Sequence, residues 1–99
     1  MTRPARLEGD ERSAALGELL ALGWQHDPAR DAITKTLRFA DFNAAFGWMT
    51  RIAMIAEQLD HHPEWSNTYR TVTITLTTHD AKGLTELDLA MARRISGLG

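Results

Sequence analysis

Residues 41–63 read DFNAAFGWMTRIAMIAEQLDHHP, and this segment decides the fold. Asp41 is a good N-cap, since a short carboxylate accepts from the open N–H groups of a helix's first turn. Behind it Phe42, Ala45, Phe46, Met49, Ile52, Ala53, Ala56 and Leu59 trace one apolar stripe at helical spacing. Pro63 disfavours helical geometry in the residue before it, so the helix ends near Asp60. Such a stripe needs an apolar surface to cover. Tyr69 to Thr78 supply one, because Val72, Ile74 and Leu76 alternate with Thr71, Thr73, Thr75 and Thr77. That period of two is a half-buried strand with one polar face.

Outward from this pair the remaining elements follow. Residues 1–9 read as a loose lead-in broken by Pro4 and Gly9. Leu16, Leu19 and Leu20 place a first helix from about Asp10 to Leu22, with Gly23 free to take a left-handed conformation after the last turn. Trp24 to Phe39 reads as two strands joined through Asp27 to Asp31, where Pro28 favours a turn. Ile33, Leu37 and Phe39 share one parity there, interrupted by Lys35. The last helix opens at Thr85-Glu86-Leu87-Asp88, a capping box flanked by Leu84 and Leu89 as a hydrophobic staple, and ends at Gly97. Between the second and last helices there is room for one strand or two short ones, and helices separated by strands imply an α+β fold, one antiparallel sheet with helices packed on one face.

With 99 residues the chain has room for one modest core, so one domain over 1–99 is expected. Its 43% hydrophobic and 24% charged residues match a soluble globular protein. A formal net charge of -2 argues against reading nucleic-acid phosphates. There is no cysteine, which excludes disulfides and thiolate catalysis. Met1 to Arg12 carries no apolar run of a secretory signal, and no stretch is apolar enough to span a bilayer. A cytoplasmic location without membrane contact is the expectation.

Chemistry concentrates at three of the four histidines, His61, His62 and His79. Glu57 stands four residues before His61, which on a helix puts both on one face. Unpaired carbonyls at the helix end also favour an imidazolium there. His79, followed by Asp80, comes at the end of the Val72 strand. Imidazoles with different neighbours suit donating one proton and accepting another. His26 has no partner at a telling spacing and is expected at the surface. A zinc site of three histidines and a carboxylate is the sharper rival, disfavoured because adjacent His61 and His62 rarely converge on one ion and because the helix end favours their protonation, which opposes ligation.

Glu57, then His61-His62-Pro63, Tyr69, His79 and Asp88 at these spacings resemble the signature of the pterin-4a-carbinolamine dehydratases. The surrounding Leu59 to Trp65, Asp41-Phe42-Asn43, Thr77-Thr78-His79 and Gly83-Leu84-Thr85 are similar too. Leu87 and Ser66 depart from the pattern. The resemblance implies a four-stranded antiparallel sheet under helices. It implies dehydration of a 4a-hydroxytetrahydropterin to the quinonoid dihydropterin, in tetrahydrobiopterin recycling, without metal or organic cofactor. It makes His61, His62 and His79 catalytic. Asp60, His61, His62, Thr77, Thr78, His79 and Asp80 would bind the substrate, and Glu57, Trp24 and Asp88 would support. It also implies a homodimer or homotetramer, for which the outer face of the second helix, with Asn43, Ala44, Gly47, Trp48 and Arg51, is the expected surface. Some members of the family act instead as protein-binding modules, a transcription coactivator or assembly factors. Retention of all three histidines favours the enzyme.

Overall fold

The computed structural model describes residues 4–98. Helix α1 (Gly9–Ala21) leads into strands β1 (Gln25–Asp27) and β2 (Ala32–Arg38). Helix α2 (Phe42–Leu59) follows, then β3 (Glu64–Thr68), β4 (Thr71–Leu76), a 3-10 turn (His79–Ala81) and helix α3 (Glu86–Ser96). The four strands form one antiparallel sheet in the order β1-β2-β4-β3. Strand β3, the second of the two short strands the sequence allows here but without residues assigned to it, is the far edge; it pairs with β4 through a turn at Tyr69, where φ is 53°.

The alternation in β4 sorts its side chains as expected. Val72, Ile74 and Leu76 are fully buried beneath the helices together with Ile33. Each such aliphatic side chain contributes roughly 1.5–3 kcal/mol by leaving water. On the other face hydroxyls pair across strands, Thr36 with Thr73 and Thr75 with Thr34, both at 3.2 Å. Lys35 sits among apolar neighbours because its ammonium donates to the Leu22 carbonyl at 2.9 Å and lies over the Trp24 ring.

Helix α2 is capped as the sequence implies, the Asp41 carboxylate accepting from the Ala44 N–H at 2.8 Å. Its buried face is rotated from the expected stripe. Ala45, Trp48, Ile52, Ile55 and Ala56 are buried, while Phe42, Phe46 and Ala53 are exposed. Trp48, expected outside, is buried against Phe39, with ring centroids 5.4 Å apart. Ala45 and Ala56 are almost wholly buried in the same face.

The N-terminal lead-in is not loose where it is described. Leu7 is buried and its N–H donates to the Leu84 carbonyl at 2.8 Å. Residues 1–3 of that segment lie outside the described residues. Beside Leu7, Arg6 and Arg12 converge on the buried carboxylate of Asp31, at 3.0 Å and 2.6 Å. His26, expected at the surface, joins them at 2.8 Å and is mostly covered. The same carboxylate accepts from the Leu84 N–H at 3.0 Å, and the Asp31 carbonyl accepts from the Thr77 hydroxyl at 3.0 Å. Asp31 therefore ties both ends of the loop from Thr77 to Leu84. Gly83 is required there, since a Cβ would overlap the Asp31 carboxylate. Among the described residues no helix is long and apolar enough to cross a membrane.

Candidate active site

At the end of α2 the chain makes a turn that sets the site. Asp60 takes the left-handed conformation, with φ 49° and ψ 45°. The His61 N–H donates back to the Ala56 carbonyl at 3.0 Å, and the Asp60 N–H reaches Glu57. This closure of the last turn satisfies carbonyls that the helix leaves open. It also takes His61 off the helical period. The ring turns inward and is buried, so His61 does not share a face with Glu57 as its spacing implies. Glu57 pairs instead with His62, Oε1 to Nε2 at 2.7 Å, both side chains exposed.

His61 meets Asp88, a fully buried residue of α3. Its Nε2 lies 2.5 Å from Asp88 Oδ1. The other carboxylate oxygen accepts from the Thr85 N–H at 2.9 Å and the Thr78 hydroxyl at 2.8 Å. The first of these bonds is half of the capping box of α3, whose other half is the Thr85 side chain accepting from the Asp88 N–H; the Thr85 hydroxyl also accepts from the Leu87 N–H at 3.2 Å. Asp88 thus caps a helix and anchors an imidazole with one side chain. With Nε2 given to Asp88, Nδ1 is the nitrogen His61 has for a ligand.

His79 comes not from the end of β4, which stops at Leu76, but from the first position of the 3-10 turn. The Thr78–Gly83 bridge holds the base of that turn. The ring projects into solvent and meets Glu64 of β3, Nε2 to Oε2 at 3.2 Å. Glu64 in turn accepts from both arms of the Arg30 guanidinium, at 3.0 Å and 2.7 Å. That guanidinium holds the Glu64 carboxyl below the usual range, against the opposing effect of burial and with His79 adding to it.

These parts enclose a cleft of about 340 Å³ lined by His61, His62, Pro63, Glu64, Thr77, Thr78, His79 and Asp80. All three histidines singled out in the sequence line it, as do Thr77, Thr78 and Asp80. Asp60 supplies the turn beneath it, and Trp24 lies in the core, outside the lining. Each of the three imidazoles has a carboxylate on Nε2, from Asp88, Glu57 and Glu64 respectively. Sequence reasoning missed Glu64 and Arg30. The acid directly after His61-His62-Pro63 was the available signal for the first. Nothing local marks Arg30, which is 34 residues from its partner. Among the described residues no three His, Asp or Glu side chains are grouped to hold a metal ion.

The chain matches the family model described as "Pterin 4 alpha carbinolamine dehydratase" over residues 5–98. It belongs to that family. A protein of Jannaschia sp. (strain CCS1) named "Putative pterin-4-alpha-carbinolamine dehydratase" is 50% identical over 93 residues, 94% of this chain and 95% of its own length. One of the same name from Bradyrhizobium sp. (strain ORS 278) is 52% identical over 93 residues, 94% of this chain and 91% of its own. A solved structure, described as a transcriptional coactivator/pterin dehydratase from Brucella melitensis, superimposes with a TM-score of 0.85 at 48% identity, covering 94% and 97% of the two chains. A pterin dehydratase-like protein described as a RuBisCO assembly factor in the alpha-carboxysome shares the fold, with a TM-score of 0.66 at 22% identity over 76% of this chain and 87% of that one. The family and the names of these relatives support a carbinolamine dehydratase activity, and the α+β architecture is that of the pterin dehydratase structure.

Proposed function

We propose that this cleft eliminates water from a 4a-hydroxytetrahydropterin by histidine acid–base catalysis. The observation that carries the reading is the gathering of three carboxylate-paired imidazoles around one cleft of about 340 Å³. The reaction needs two proton transfers. A protonated imidazole gives its proton to the leaving hydroxyl, and the C4a–O bond breaks with its electron pair going to the departing water. A neutral imidazole takes the proton from a ring N–H, whose electron pair forms the new carbon–nitrogen double bond. One member of the His61 and His62 pair acts at the hydroxyl, and His79 shares or orients the base role. Asp60, Thr77, Thr78 and Asp80 hold the pterin. Asp88 and Glu57 orient the imidazoles they touch, and Trp24 supports from the core.

The reading extends to tetrahydrobiopterin recycling in the cytoplasm by a homodimer or homotetramer that uses neither metal nor organic cofactor. The lack of cysteine is compatible with a reducing compartment.

Single alanine substitutions at His61, His62 and His79 test it. Each is expected to lower kcat/KM on the order of 10²-fold, the low end for one acid–base group, because its neighbours partly substitute. Steady-state kinetics on the three variants checks this, and full activity in all three would remove the histidines from the chemistry. A second reading is a protein-binding module on the same fold. An apolar groove of about 730 Å³ between α2 and α3, lined by Met54, Ile55, Leu59 and Leu98 among others, favours it. Retained dehydration in the intact protein decides for the enzyme.

A further inference from the structure

Arg30 and Glu64 take no part in the proton transfers assigned above, yet they join opposite sides of the sheet. Arg30 leaves the turn between β1 and β2, while Glu64 opens β3, the opposite edge strand. The fork crosses the end of β4 to connect them with two bonds, at 3.0 Å and 2.7 Å. Both side chains are nearly half exposed. An ion pair in such a position adds little to stability, so its consequence has to be sought in what else it touches.

The oxygen that receives the shorter of the two bonds, Oε2, is also the one 3.2 Å from His79 Nε2. His79 is three-quarters exposed and stands on a single 3-10 turn. An imidazole so placed rotates among rotamers unless a neighbour selects one. The base of Arg30 is itself fixed, because the next residue, Asp31, is buried, left-handed at φ 50°, and bonded to Arg6, Arg12, His26 and Leu84. Rigidity therefore passes from the Asp31 hub to Arg30, from its fork to Glu64, and from Oε2 to the ring.

We infer that Glu64 is a positioning residue for His79, holding Nε2 as the proton-bearing nitrogen so that Nδ1 faces the substrate, and that Arg30 fixes the Glu64 carboxylate for this task. Other charged or titratable groups beside His79 are its neighbour Asp80 and, across the cleft, His61 and His62. The inference rests on the reading of the cleft as a dehydratase site.

A double-mutant cycle on the full chain tests it, read by steady-state dehydration of 4a-hydroxytetrahydropterin. Glu64→Ala is expected to lower kcat roughly tenfold, the scale of losing a partner that orients an imidazole, with KM within about twofold. In a His79→Ala background the same substitution should cost less than about twofold, and in a His62→Ala background it should keep its full cost. Arg30→Ala should lower kcat by a smaller factor than Glu64→Ala, and Arg30→Lys, which keeps the charge but loses the fork, should fall between Arg30→Ala and the unaltered protein. A loss carried by KM would make Glu64 a substrate contact and overturn the positioning role. An equal cost with and without His79 would overturn it too while leaving the cleft's chemistry intact. Full activity of His79→Ala would overturn the positioning role together with the part assigned to His79 in the proton transfers.

Discussion

Asp88→Ala is expected to destabilise the protein by roughly 3–5 kcal/mol, the cost of removing one partner from a buried pair, and to reduce dehydration more than any single histidine substitution. The reason is the number of groups that converge on one carboxylate. His61 Nε2, the Thr78 hydroxyl and the Thr85 N–H all use it, and all four residues are buried. Alanine leaves these buried donors unpaired and removes half of the cap of α3, worth about 1 kcal/mol by itself. Asp88→Asn keeps the volume and is expected to fold, but its amide presents a donor where one of the three now finds an acceptor. Urea melts of both variants beside kcat/KM check the two effects separately. A fully stable, fully active Asp88→Ala would show that His61 needs no anchor.

The second large effect is at Asp31. Arg12 is the strongest influence holding its carboxyl well below the usual carboxylate range, with His26 and the Leu84 N–H adding and burial opposing. Asp31→Ala is expected to cost roughly 3–5 kcal/mol at neutral pH, because two guanidinium groups and a backbone N–H lose a buried acceptor. Since the folded-state value lies below the unfolded one, this stabilisation is complete above an ordinary carboxyl pKa of about 3.9 and is lost as pH falls through the folded-state value. The gap in unfolding free energy between the unaltered protein and Asp31→Ala should therefore be constant near neutrality and shrink below about pH 4. Denaturant melts at neutral and acid pH measure it, and a gap that widened in acid would contradict the sign.

What could be read from the sequence was what is set locally. The Asp41 cap, the threonine alternation of β4 and the capping box at Thr85 each lie within a few residues, and each stands where expected. The position of strand β3 was not legible, because Trp65 is the one large apolar side chain in Glu64–Thr68 and an edge strand needs no more. The face of α2 was ambiguous for a related reason. Two stripes share Ala45, Ile52 and Ala56, and the fit of Trp48 against Phe39 chose between them.

The candidate site divides in the same way. Its three histidines were legible from their spacing, but their partners were not, apart from the general expectation that Glu57 and Asp88 belong near them. The expected Glu57–His61 pair assumed that the helix continues. Left-handed Asp60 redirects the chain by one residue, giving Glu57 to His62 and His61 to Asp88, 27 residues away. The Asp31 hub was equally hidden, since Arg6 and Leu84 meet it from 25 and 53 residues away. Contacts of this kind are fixed by packing, which no local pattern encodes.

The most direct test of the account is the rate at which 4a-hydroxytetrahydropterin loses water with and without the intact protein. The account predicts a saturable rate well above the uncatalysed one, falling to near the uncatalysed rate when His61, His62 and His79 are all replaced by alanine. A rate with the intact protein equal to the uncatalysed one would contradict it.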